Sequence, residues 1–265
     1  MEGTYLEEIV AHHRVRAARD ARPRDELFER AKAAPAPPSL RSALVLPQAQ
    51  VSLIAECKRR SPSRGELAEI PDPVALAASY ERGGAAAISV LTDERFFSGS
   101  LDDLRAVSAG VGIPCLRKDF TVDIADICDA KLAGASAVLL IVAALGADQL
   151  EFFMMIAAEL GLDALVEVHT REELAVANDL GAWIIGINQR NLHDFSIDHR
   201  LGAELIGEVG RQAAKVIESG ITTVEQVAMA AEAGFDAMLV GEVLVRDSDP
   251  AAGAARFVAA GRAGA

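Results

Sequence analysis

Eight short apolar runs, each followed by a segment with helix signals, constrain this chain more than any other feature. They cover residues 51–57, 85–91, 113–116, 137–142, 164–168, 183–187, 214–217 and 237–240. Runs of that length suit strands buried on both faces. Helix starts lie between them. Asp72 precedes Pro73, a capping residue before proline at the first helical position. Thr170 with Glu173, and Thr222 with Glu225, read as capping boxes, and Ser100 with Asp103 as a looser one. Gly83, Gly134, Gly161, Gly181 and Gly234 fall shortly before the next strand, where a helix must stop. Strand and helix alternating eight times predict parallel pairing. An open doubly wound sheet would usually carry a glycine-rich phosphate loop after an early strand, and no GxGxxG or Walker A pattern occurs. The expected fold is therefore α/β, a (β/α)8 TIM barrel.

The first fifty residues follow a different pattern. Tyr5, Leu6, Ile9, Val10 and His13 recur at helical spacing, predicting a helix over 4–20. A second short helix is expected around Leu27, Phe28 and Ala31, before a proline-rich break at 33–39. Residues 1–48 are expected to form a helical extension packed on a barrel of 49–265, because so short a segment cannot build its own core.

Composition excludes several classes. With 39 acidic against 26 basic residues the formal charge is −13, which argues against a general nucleic-acid or anionic-membrane binder. The longest apolar runs are too short to cross a bilayer, and the N-terminus lacks a basic start and apolar stretch, so a cytoplasmic location is expected. Three cysteines, Cys57, Cys115 and Cys128, without CxxC spacing read as small buried hydrophobes, not as a disulfide framework or metal site.

The chemistry stands at the strand ends. Glu56 and Lys58 close the first run and share a face by alternation. Serines and a proline at 61–63 then predict a rigid turn offering hydroxyls and amides. Lys118 follows the third run and suits a general acid, although a surface lysine reads the same way. Glu167 sits inside the fifth run, where an unpaired carboxylate is costly and must have a partner or a task. His169 beside it is read first as a helix-capping neighbour. Asn188 and Arg190 end the sixth run and suit sugar hydroxyls and phosphate, with an Asn-rich turn as the alternative. Ser219 and Gly220, then Gly241 and Glu242, follow the last two runs, where barrels often hold a phosphate.

These segments resemble indole-3-glycerol phosphate synthase. The motifs are Ile54 to Ser63 with its Glu56 and Lys58, Ile88 to Asp93 with Phe97 to Ser100, Leu116 to Phe120, Leu165 to His169, Gly186 to Leu192, and Glu218 to Ile221. The resemblance implies ring closure of 1-(2-carboxyphenylamino)-1-deoxyribulose 5-phosphate with loss of CO2 and water, and neither metal nor organic cofactor. By motif match, Lys118 would protonate the carbonyl oxygen and Glu167 would assist proton transfer during dehydration. Glu56 would be its charge partner or a second proton handler, and Lys58 would bind phosphate or carboxylate or serve as an acid. Asn188, Arg190, Ser61, Phe120 and Ser219 would contact or order the substrate. Lys58, Ser61, Gly220, Gly241 and Glu242 would surround its phosphate. The only expected partner is this sugar phosphate, bound by a monomer or weak homo-oligomer. A phosphoribosylanthranilate isomerase-like barrel and a catalytically silent phosphate-binding barrel are the alternatives. Departures from the family pattern at Cys57, Ala125, Asp126 and Ser136 leave local packing open.

Overall fold

A computed structural model describes residues 4–45, 50–61, 65–191 and 194–262. Eight parallel strands close into a barrel: β1 Ser52–Cys57, β2 Ala87–Leu91, β3 Cys115–Lys118, β4 Ala137–Ile141, β5 Asp163–Val168, β6 Ile184–Asn188, β7 Ala214–Glu218 and β8 Ala237–Val240. β1 pairs with both β2 and β8, which completes the ring. The barrel expectation holds, and the strand starts and ends move by no more than two residues. β3 begins after Pro114, which has no N–H to give the ladder. β6 and β7 run on to Asn188 and Glu218, so two polar residues belong to the strands themselves.

The helix signals act largely as expected. Asp72 caps Val74 and Ala75, with Pro73 as the first helical residue, and Ser100 accepts from the Asp103 amide. The box expected at Thr222 is displaced by one residue: Thr223 caps Gln226, whose side chain returns to the Thr223 and Thr222 amides. Glu173 reaches past its cap to the His169 amide at 2.7 Å. Asp126 accepts from the Val122 and Asp123 amides, and the Ser136 hydroxyl accepts from the Cys115 amide. Two of the positions that depart from the family pattern are thus hydrogen-bonded in place.

Before the barrel come α1 Tyr5–Arg19, α2 Arg24–Ala33 and α3 Leu40–Leu44. The first two match the sequence periodicity; α3 was not foreseen. Its Leu40 and Leu44 are fully buried and join Ile54, Leu116, Leu139, Leu165, Ile184 and Val216 in the cluster that fills the barrel. A short antiparallel pair, Arg60–Ser61 with Gly65–Glu66, follows β1. The turn expected between them falls on residues 62–64, and the expected start of the barrel falls within 46–49; both lie outside the described residues, as does Leu192. Among the described residues no helix is long and apolar enough to cross a membrane. The three cysteines are buried and unpaired.

Candidate active site

Strand register explains why residues far apart in sequence meet. Glu167 lies opposite Gly186, and Asn188 opposite Glu218, so neighbouring staves deliver polar groups to one level. All face the C-terminal mouth, the end where barrel enzymes assemble their sites. One cavity there is lined by Glu56, Lys58, Ser61, Lys118, Phe120, Glu167, Asn188, Arg190, Ser219, Gly220, Gly241 and Glu242. Every residue expected at the site is thus brought to a single hollow. α1 lies over it and contributes Tyr5, Leu6 and Ile9.

The centre is an ammonium among carboxylates. Lys118 Nζ stands 3.2 Å from Glu167 Oε2 and 3.6 Å from Glu218 Oε2. Burial opposes the charge on Lys118, yet Glu167, Glu218 and Glu56 hold its pKa well above the usual lysine value. Burial would also raise Glu167, but Lys118, His169 and a hydrogen bond from Asn188 hold it below the usual carboxylate range. Glu218 goes the other way: burial, then the neighbouring Glu167 charge, pushes it up to about 8. Two carboxyls with opposed shifts stand beside one ammonium, an arrangement that can divide into base and acid.

Glu218 was missed as an individual site residue. Its signal is a glutamate closing an apolar run, directly before the Ser219 and Gly220 on which the phosphate expectation falls. The backbone has adapted to it. An added Cβ at Gly186 would lie 2.0 Å from Glu218 Oε1, so only glycine on β6 leaves room for that carboxylate. Ser219 itself takes a positive φ of 64°, backbone strain of the kind found at functional sites.

Around this centre, Lys58 Nζ pairs with Glu56 Oε2 at 2.8 Å, as alternation implied. Gly241 packs so closely on Glu56 that an added Cβ would come within 2.9 Å of Oε2. Asn188 accepts from the Arg190 amide at 3.0 Å, and the Arg190 guanidinium donates to the Phe195 carbonyl at 3.1 Å, folding the loop after β6. Glu242 opens a short helix, Glu242–Val245, and pairs with Arg246 at 3.2 Å.

α1 is fixed to the rim through a buried histidine. His13, buried on α1, places Nε2 2.8 Å from Asp93 Oδ2 and 3.7 Å from Asp119 Oδ1. Asp119 is held in turn by Arg117 at 2.8 Å and by the Thr92 hydroxyl at 2.7 Å. Among the described residues this is the one histidine–carboxylate cluster spaced for a metal ion. Arg117 already balances Asp119 and His13 bonds Asp93, so the group reads as a buried polar clasp.

The comparisons agree with the geometry. The family model of indole-3-glycerol phosphate synthase matches residues 6–257. The chain belongs to the indole-3-glycerol phosphate synthase family. The enzyme of that name from Kineococcus radiotolerans is 50% identical over 81% of this chain and 78% of its own. That from Mycolicibacterium gilvum is 48% identical over 89% and 86%. Among solved structures, thiamine phosphate pyrophosphorylase from Pyrococcus furiosus superposes with a TM-score of 0.64 at 16% identity, covering 85% of this chain and 98% of its own, a likeness of fold alone.

Proposed function

We propose that the cluster of Lys118, Glu167 and Glu218 performs the acid–base steps of indole-3-glycerol phosphate synthesis. The family's carboxy-lyase reaction, a step of tryptophan biosynthesis, is ring closure of the carboxyphenylamino deoxyribulose phosphate with decarboxylation and dehydration. The single observation that carries the residue roles is an ammonium within 3.2 Å and 3.6 Å of two buried carboxyls whose pKa values diverge.

In this reading the Lys118 ammonium protonates the ketone oxygen as the ring carbon attacks. Negative charge developing on that oxygen is offset in a site sheltered from water. CO2 leaves and restores the aromatic ring. The hydroxyl then departs as water with a proton from an acid group, Glu218 being the carboxyl held protonated near neutrality. Glu167, held ionised, accepts the proton lost from the neighbouring carbon. Glu56 keeps Lys58 directed into the mouth, where Lys58, Ser61, Gly220, Gly241 and the start of the Glu242 helix surround the phosphate. Asn188, Arg190, Ser219 and Phe120 contact the sugar and ring. Residues 1–48 act as an extension of the one barrel domain, with α1 as the cover of the mouth. The protein needs no cofactor and works as a monomer or weak homo-oligomer in the cytoplasm, expectations carried by the family reading.

The test is direct. Purified protein offered the carboxyphenylamino sugar phosphate should develop indole fluorescence. Lys118→Met should lower kcat by about 10²–10⁴-fold, as expected for loss of a proton-transfer group, with the folded spectrum retained. Near-normal turnover by that variant would refute the role of Lys118.

A further inference from the structure

The family reaction, on which this inference rests, consumes a proton. The ketone oxygen takes up two protons before it leaves as water, and the ring system releases one. CO2 departs from a carboxylate and carries no proton away. Each turnover therefore draws one proton from solvent, while substrate and α1 fill the mouth.

We propose that His169 supplies that proton, relaying it to Glu167 from a second cavity beside β5 and β6. His169 is the residue immediately after β5. Its Nε2 lies 3.3 Å from Glu167 Oε1, and its Nδ1 lies 3.3 Å from Glu173 Oε2. His169 and Glu173 line the second cavity, of about 350 Å³, and neither lines the mouth; Glu167 lines the mouth and not the second cavity. Leu6, Asn188 and Arg190 line both and form the shared wall. The imidazole is thus the bridge between a solvent-side chamber and the reacting one.

The charges around the ring suit a relay. Glu167 faces it from β5 and Glu173 from the helix Arg171–Asp179. Lys118 and Glu218 lie beyond Glu167, and Arg190 and Asp198 stand on the cavity wall. Burial disfavours the imidazolium, but the two flanking carboxylates raise it to about 9, against about 8 for Glu218. A proton passing from His169 to Glu218 thus starts and ends on groups of similar affinity, and Glu167, held ionised, carries it only in passing. In the step, the Nε2–H bond breaks as an O–H bond forms on Glu167 Oε1. Rotation of the ring turns the vacated nitrogen to the second cavity, where hydronium or a buffer acid restores the imidazolium. The present Nε2 approach is off the line of a hydrogen bond, which such a rotation would use.

The experiment uses the full chain and follows indole fluorescence. With His169→Ala, the first turnover should slow less than the later ones, because the acid cluster starts charged. Later turnovers should slow by about tenfold or more, with KM little changed, and added imidazole should restore them. Glu173→Gln keeps an oxygen for the His169 amide but removes a charge. The high-pH fall of kcat should then shift to lower pH, since the imidazolium loses a partner. First and later turnovers slowed alike without imidazole rescue, a steady-state kcat within about threefold of wild type, or an unmoved pH limb in Glu173→Gln would each overturn the relay. If His169→Ala does not fold, Glu173→Gln decides alone. A wild-type protein that forms no indole would instead overturn the reaction reading, and the relay with it.

Discussion

Replacing Glu218 by glutamine should make the protein more stable and nearly inactive. Glu218 is 1% exposed, and its folded pKa of about 8 stands above the reference value of 4.5. A carboxyl raised in the folded state binds its proton more tightly there than in the unfolded chain. Stability from this group is complete below the unfolded value and is lost as pH rises toward the folded one. Between those limits each pH unit costs about 1.4 kcal/mol. At pH 7 the glutamate therefore destabilises the fold by roughly 3 kcal/mol as an upper estimate. Glutamine copies the shape of the neutral acid and removes that cost. The expected result is a rise in Tm on the order of 5 °C at pH 7 to 8, shrinking toward zero near pH 5. Over the same range kcat should fall about 10²–10⁴-fold. Thermal unfolding and indole fluorescence across pH 5–8.5 measure both. A variant whose stability relative to wild type does not grow with pH would show that Glu218 is not held protonated, and the division of roles between the two carboxyls would fail.

Other outcomes follow from single contacts. Gly186→Ala forces the Glu218 carboxyl aside and should cut kcat at least about tenfold while CD and the melting transition persist; unchanged turnover would mean the glycine has no bearing on the acid. Asp93→Asn weakens the clasp on His13, so α1 should lose amide-exchange protection and KM should rise several-fold, with kcat less affected. Chelation with excess EDTA should leave turnover intact, and loss restored by a divalent ion would overturn the cofactor-free reading. Removing residues 4–34 should raise KM yet leave a folded barrel. Extending the cut to residue 45 should also lower stability by several kcal/mol, because Leu40 and Leu44 leave the inner core; equal melting of the two truncations would refute the plugging role of α3.

The barrel was legible because its signals are local. Strand length, the absence of polar interruptions in runs such as 137–141, and caps such as Asp72 depend on near neighbours in the chain. The site was legible where an anomaly stood inside such a run, as at Glu167. It was less legible where rules compete within a residue or two. Thr222 and Thr223 offer equally good caps, and only the path from β7 selects the second. α3 is only five residues long and follows a proline-rich stretch, and its burial depends on a hole at the end of the barrel that does not exist until the ring closes.

Alternation of apolar runs and helix starts settled on its own that this chain forms parallel strands with charged groups at their ends. Closure of the ring decided what those groups do. Glu167, Lys118 and Glu218 have unremarkable chemistry as separate residues. They acquire opposed proton affinities only when register sets both carboxyls within 3.6 Å of the Lys118 ammonium in a buried site. Desolvation and charge coupling act through distance in space, and that distance belongs to the fold.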